Sequence, residues 1–333
     1  ETNEGNNTFS VIRTFGNQEP ICVVLRPVRT TGSHYTTASP GFWDVMGRFE
    51  TLWPLADFRY YQNASRMERP CGFLWLSSCP WELPGQADEL MFHLITWNTF
   101  TANPAGCNSS GAYTHYVGMV SPNTNTGNNL GYANYVIGSS YVKMESGGSG
   151  FNSDRGGATM AQELAHNYNG LGNRWKHVNC GSPDDLNPNY PYPGCQIANT
   201  GASSYYGFDR RSSQVIAPNA AADFMSYGGT KWVSDYTWIG LQNRAALAAA
   251  EAAASDTLAR VLASQEMLVI GGVVTPTTQS ALLFPAYRIP PDALDRAKLK
   301  QVVEAQFVPR THAHAAESAY TLEFLNAQGG LLA

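Results

Sequence analysis

Charge is scarce in this chain: only 14% of its 333 residues are Asp, Glu, Lys or Arg, and the net charge is −5. Such a surface carries no polyanion-binding signature, which argues against nucleic acid as a partner. Long apolar runs are also missing. None approaches the roughly 20 residues of a membrane-spanning helix, so no membrane span is expected. The opening residues, Glu1-Thr2-Asn3-Glu4, lack the basic and apolar regions of a signal peptide. An exported protein would therefore be present here in its processed form. No two cysteines have C-x-x-C spacing, which argues against a cysteine-built zinc site. Regular periodicity is lacking from Gly181 to Asn219, where Pro, Asn, Tyr and Gly dominate (NPNYPYPGC). A loop of that length in a compact domain is usually functional.

What the chain does have is an even number of cysteines, six, in a Tyr-, Asn- and Gly-rich sequence with few lysines. That favours disulfides and an oxidising, extracellular location. The short loops suggest Cys71–Cys79 and Cys180–Cys195, leaving Cys22–Cys107; the alternative is buried free thiols. Asn6, Asn63 and Asn108 open N-x-S/T triplets, which are common by chance.

Along the chain, residues 1–20 are polar and read as an N-terminal arm. Ile21 to Arg29 is a β-branched run that predicts a buried strand. Phe42 to Ala56 has near-helical apolar spacing, and Pro54 marks its end. Phe58–Gln62 and Gly72–Ser77 read as strands. ADELMFHLITWNTF, ending at Phe100, predicts an amphipathic helix with His93 as a core histidine. Tyr113–Val120 alternates as a strand does. A turn-rich loop follows from Ser121 to Gly131, then a strand from Tyr135 to Met144, then a buried helix from Gly157. Trp238 to Ala254 is rich in alanine and predicts another helix. Alternating strands and helices indicate an α/β (α+β) domain over residues 21–260. From residue 261 to 333 the pattern becomes all-β and sandwich-like, with runs at 267–274, 281–289, 302–308 and 319–326. A sandwich needs about seven strands. With four, the sheet requires either a longer chain or a strand from a neighbour, which makes self-association through this domain an expectation. His312 and His314 form a loose pair in a loop and make a poor metal site.

The stretch from Gly156 to His177 carries the chemistry. Its kernel is Gln162-Glu163-Leu164-Ala165-His166. Positions 162 and 166 lie one helical turn apart on one face. The H-E-x-x-H pattern uses that spacing to hold zinc between two imidazoles, with the glutamate as general base. Here Gln162 replaces the first histidine, and an amide oxygen is a much poorer zinc donor. Glu163 is placed for proton transfer. Met160, Ala161, Leu164 and Ala165 make the helix largely apolar, so this carboxyl needs a partner or a task.

With His177, Cys180-Gly181, Tyr190-Pro-Tyr-Pro-Gly194, Asp223-Phe-Met-Ser-Tyr227 and Trp232-Val-Ser-Asp-Tyr-Thr237, the sequence resembles the metzincin zinc peptidases. It is most similar to a group of secreted bacterial metzincin-like peptidases. The resemblance covers roughly residues 110 to 245 and extends to the ends only by layout. It implies a zinc cofactor, with His166 as second ligand, His177 as third and Gln162 at the first position. It further implies Glu163 as general base, Met225 as the methionine of the Met-turn, and Tyr227 as a metal ligand or oxyanion donor. The family spacing puts the third ligand six residues after His166, at Gly172, so His177 comes five residues later. An insertion such as GLGNR would have to loop out to return it. Asn173 is a weaker substitute. The resemblance also implies a protein or peptide substrate adding as a strand along a sheet edge, with the aromatic loop from Tyr190 to Phe208 walling the cleft. Two functions stay open: a secreted zinc endopeptidase with an altered site, and an inactive homologue that binds or builds extracellular assemblies.

Overall fold

A computed structural model describes residues 21–31, 34–53, 58–71, 77–101, 103–104, 107, 113–134, 138–147, 155–167, 175–201, 204–251, 267–269, 272–275, 280–283 and 287–289. Its first strand, β1 (Ile21–Pro27), is buried almost throughout, as an uninterrupted apolar run in a parallel sheet should be. It is followed by α1 (Phe42–Leu52), β2 (Phe58–Gln62), the short strands β3 (Arg69–Cys71) and β4 (Ser77–Cys79), and α2 (Ala87–Phe100). Next come β5 (Tyr113–Val120), β6 (Gly131–Asn134), β7 (Ser139–Lys143) and α3 (Arg155–His166).

The main sheet has the order β2-β1-β5-β7-β6. All its pairings are parallel except the last, where β6 runs antiparallel to β7 with Gly131 opposite Val142. Both faces are covered. Ile21, Val23, Leu25, Val117, Met119 and Val142 join α1 and α3 in one core cluster. Val24, Val28, Tyr116, Val120 and Tyr141 join Leu90, Met91 and Leu94 of α2 in the other. The period-two alternation of each strand thus feeds two layers of helix. His93 sits against the Trp81 ring at 5.3 Å, and burial lowers its pKa to about 4, as suits a core histidine.

Two glycines fix the depth of α3. A Cβ on Gly157 would lie 2.3 Å from the Val45 carbonyl oxygen and 2.6 Å from Arg48 Cβ on α1. One on Gly156 would lie 2.8 Å from the Glu145 amide nitrogen. The helix can be this close to α1 and to the strand end only because these positions lack side chains. Gly157→Ala is expected to cost about 1–3 kcal/mol through overpacking, and to lower the thermal midpoint by roughly 2–10 °C. Alanine's better helix propensity alone would raise it. A higher midpoint in a thermal melt would show that the contact yields.

Beyond α3 lie the hairpin β8 (Gly207–Asp209) and β9 (Gln214–Ile216), the parallel pair β10 (Ala222–Asp223) and β11 (Lys231–Trp232), and α4 (Asp235–Glu251). The C-terminal region contributes β12 (Met267–Val269), β13 (Gly272–Thr275), β14 (Ser280–Leu283) and β15 (Tyr287–Ile289). β12 pairs with β15 and β13 with β14, both antiparallel. Each of the first two expected β runs is therefore two short strands. The runs at 302–308 and 319–326, and the pair His312 and His314, lie outside the described residues.

Other expectations shift by local chemistry. Of Gly72–Ser77, residues 72–76 lie outside the described residues; on either side, β3 and β4 form a hairpin closed by Cys71–Cys79. The expected strand from Tyr135 begins at Ser139, and β6 forms at the end of the expected loop. α4 starts at Asp235, three residues before Trp238, because Ser234 caps it: the Thr237 amide donates to Ser234 Oγ at 3.1 Å. The other cysteines pair as Cys22–Cys107 and Cys180–Cys195. No helix among the described residues is long and apolar enough to cross a membrane.

Candidate functional site

α3 is buried from Gly156 to its end, and its last two turns present Gln162, Glu163 and His166. All three are under 10% exposed. The chain leaves the helix at Asn167 and is described again from Trp175. There the Trp175 carbonyl accepts from His166 Nδ1 at 2.6 Å. Two residues further on, the His177 ring meets the His166 ring edge to face, with centroids 4.7 Å apart. The extra residues between the histidines therefore do not prevent their convergence.

His177 is held on several sides. Its amide donates to the Asp185 carbonyl (3.1 Å) and its carbonyl accepts from the Asn187 amide (2.7 Å). Its Nδ1 donates to the Asp184 carbonyl at 2.8 Å, with Asp184 Oδ1 at 3.4 Å. The next amide, of Val178, donates to the Met225 carbonyl at 2.9 Å, and the Tyr227 amide donates to the Cys180 carbonyl at 2.9 Å. These bonds join the segment carrying His177 to the turn carrying Met225. The Cys180–Cys195 disulfide lies against Gly228 of the same turn. Asp223 closes the turn: its carboxylate accepts from the Met225 amide (2.8 Å) and the Ser234 amide (2.9 Å). Met225 is fully buried, in the same cluster as Leu164 and Ala165 of α3. Tyr227 is half exposed; its ring lies 4.7 Å from His177, and its hydroxyl bonds the Asp184 side chain.

The electrostatics follow from burial. A carbonyl can only accept, so both histidines carry their proton on Nδ1 and the lone pair on Nε2. Burial, with the neighbouring His177, lowers the pKa of His166 to about 3. Burial also lowers that of His177, partly opposed by the Asp184 carbonyl and carboxylate. Both rings are therefore neutral at pH 7, the state a metal needs. Burial raises Glu163 to about 8. Its charge in turn disfavours ionisation of Tyr132, Tyr141 and Tyr227. Burial is the main cause that raises Tyr227 to about 12, so its hydroxyl is a donor at neutral pH.

Glu163 also abuts the sheet edge. A Cβ on Gly131 would lie 2.6 Å from Glu163 Cγ and 2.7 Å from its Oε1. Gly131 opens β6, the edge strand, so the carboxyl lies beside the strand that runs antiparallel to the others in the sheet.

The donor set suits a divalent cation in part. Two neutral imidazoles anchored through Nδ1 are good donors with the usual outer support. Among the described residues, no three His, Cys, Asp or Glu side chains group as a metal site would require. A third donor would have to be the Gln162 amide or the Tyr227 oxygen, and Asn173 lies outside the described residues.

The sequence did not single out Asp184, the carbonyl of Trp175, or Gly131. Asp184 follows His177 by seven residues in CGSPDD, and an acidic pair so close to a candidate ligand was the available signal. The loop from Tyr190 to Phe208 does not act as one wall. Tyr190 packs on Tyr192 and Tyr236, whereas Tyr205, Tyr206 and Phe208 line a separate cavity. Compared with known proteins, the chain matches no family model, and no curated protein or solved structure is significantly similar to it.

Proposed function

We propose that this chain is an extracellular, metzincin-like endopeptidase with a weakened zinc site. One observation carries the reading: the His177 ring meets His166 at 4.7 Å, and His166 ends the helix that also sets a buried Glu163 against the sheet edge. The three disulfides agree with an oxidising compartment. His166 and His177 would hold the metal, with the Gln162 amide or the Tyr227 oxygen beside them. When bound, zinc would supply Lewis acidity, polarising a carbonyl and making water a stronger acid.

The remaining work falls to the chain's own groups. A peptide laid along β6 would gain main-chain hydrogen bonds as an added strand. Glu163, desolvated and close to neutral in pKa, would take a proton from water and pass it to the leaving amine. The Tyr227 hydroxyl would donate to the developing oxyanion once released from Asp184. Asp184 thereby holds both His177 and Tyr227 in place.

Gln162 favours a second reading, in which the same site has lost zinc and the protein acts by binding. Elemental analysis and cleavage separate the two. The first predicts saturable zinc uptake at micromolar metal and cleavage of an unstructured peptide that 1,10-phenanthroline abolishes. A chain that takes up no zinc and leaves the peptide intact at millimolar zinc would sink it.

A further inference from the structure

Away from the histidines, a cavity of about 1000 Å³ opens between α1, β2, the β8 hairpin and the start of α4. None of Glu163, His166, His177 or Tyr227 lines it. It touches Phe58 on β2, at the opposite edge of the sheet from β6. Trp53 forms part of its wall and stacks on Phe224, the residue before Met225, with centroids 6.5 Å apart. The cavity wall thus packs, through Trp53, on the turn that carries Met225.

Its lining has two parts. Trp53 and Trp232 are buried rings, while Tyr205, Tyr206 and Phe208 stand at the rim, each more than half exposed. Isolated exposed aromatics need no explanation, but three around one cavity do. Polar groups share the lining. Glu50 accepts from the Tyr60 hydroxyl at 2.9 Å and faces Arg210 at 3.8 Å. Asp235 accepts from the Tyr192 hydroxyl and, at 2.7 Å, from the Tyr236 amide.

We propose that this cavity binds a neutral oligosaccharide. Sugar rings present apolar C–H faces, which stack on flat aromatic surfaces, and equatorial hydroxyls, which need fixed acceptors and donors. The aromatic rings meet the first need; the held carboxylates of Glu50 and Asp235, with the exposed Arg210 guanidinium, meet the second. Two carboxylates against one guanidinium leave the lining slightly negative, which disfavours acidic sugars. The volume lies at the top of the range for small-ligand sites and suits several linked rings. Rim rings that are already exposed and two-torsioned lose little freedom on stacking.

Titration calorimetry of the whole chain against maltohexaose, cellohexaose, chitohexaose and mannohexaose tests this. At least one should bind saturably. Tyr205→Ala and Tyr206→Ala, both at exposed positions, should each weaken it roughly tenfold. Glu50→Gln should weaken it as well, with an unchanged thermal midpoint as the folding control. Absence of binding by all four sugars overturns the proposal. So does binding that the three substitutions leave unaltered, or binding only of an aromatic-rich unstructured peptide. Glu163→Gln should leave sugar binding untouched, so this result stands or falls apart from the peptidase reading.

Discussion

Replacing Gln162 by histidine is expected to raise zinc affinity by on the order of 100-fold or more. The helix already sets position 162 one turn before His166, buried on the same face. The substitution exchanges a neutral amide for an imidazole, the donor type that zinc prefers. Losing even an outer partner of a ligand costs about 10–100-fold in affinity, so gaining a ligand should match or exceed the upper figure. Competition with a chromophoric chelator reads the change directly. The double variant Gln162→His with His177→Ala should fall back toward the parent, because His177 is the imidazole packed on His166. If Gln162→His folds normally and zinc affinity stays flat, position 162 does not face the two rings, and the metal-site reading fails with it.

Much of the fold is legible in particular residues. The apolar run at Ile21–Arg29 and the alternating stretch at Tyr113–Val120 form central parallel strands, where burial on both faces favours residues such as Ile21, Val23, Tyr116 and Val117. The kernel of α3 was legible because ligand spacing on a helix is rigid. The cysteine pairs followed from short loops, and the Met225 turn from its local motif. What stayed hidden was set by tertiary contact. β6 is four residues long, and only its pairing with β7 distinguishes it from the loop before it. Gly156 and Gly157 read as helix-weakening residues, but their purpose is the approach of α1 and the β7 end. Asp184 acquires a role only when the chain folds it onto His177 and Tyr227. The Tyr190 to Phe208 stretch read as one aromatic wall, yet only contact shows that Tyr205, Tyr206 and Phe208 line a cavity of their own.

Glu163→Gln should separate the folding role of this carboxyl from its chemical one. Burial raises its pKa from 4.5 to about 8, so the folded chain keeps a proton that the unfolded chain releases. Below about 4.5 both states are protonated and the shift has no effect on stability. Between 4.5 and about 8 the folded state binds more protons, so stability falls as pH rises, by about 1.4 kcal/mol per unit. Above that range the cost stays constant, at roughly 3–5 kcal/mol. Glutamine has the same shape and cannot ionise. The metal-free variant should therefore equal the parent at pH 4.5 and exceed its urea midpoint clearly at pH 8.5. Zinc should narrow that gap, because a nearby dication holds the parent's carboxyl ionised at less cost. In the same samples, peptide cleavage should drop about 10²–10⁴-fold if Glu163 moves the proton. Equal pH profiles for the two chains would mean that the carboxyl is solvated or paired, and no desolvated base would then stand beside β6. A stability gain with no loss of cleavage would place the buried carboxyl where the fold puts it and assign the proton transfer to another group.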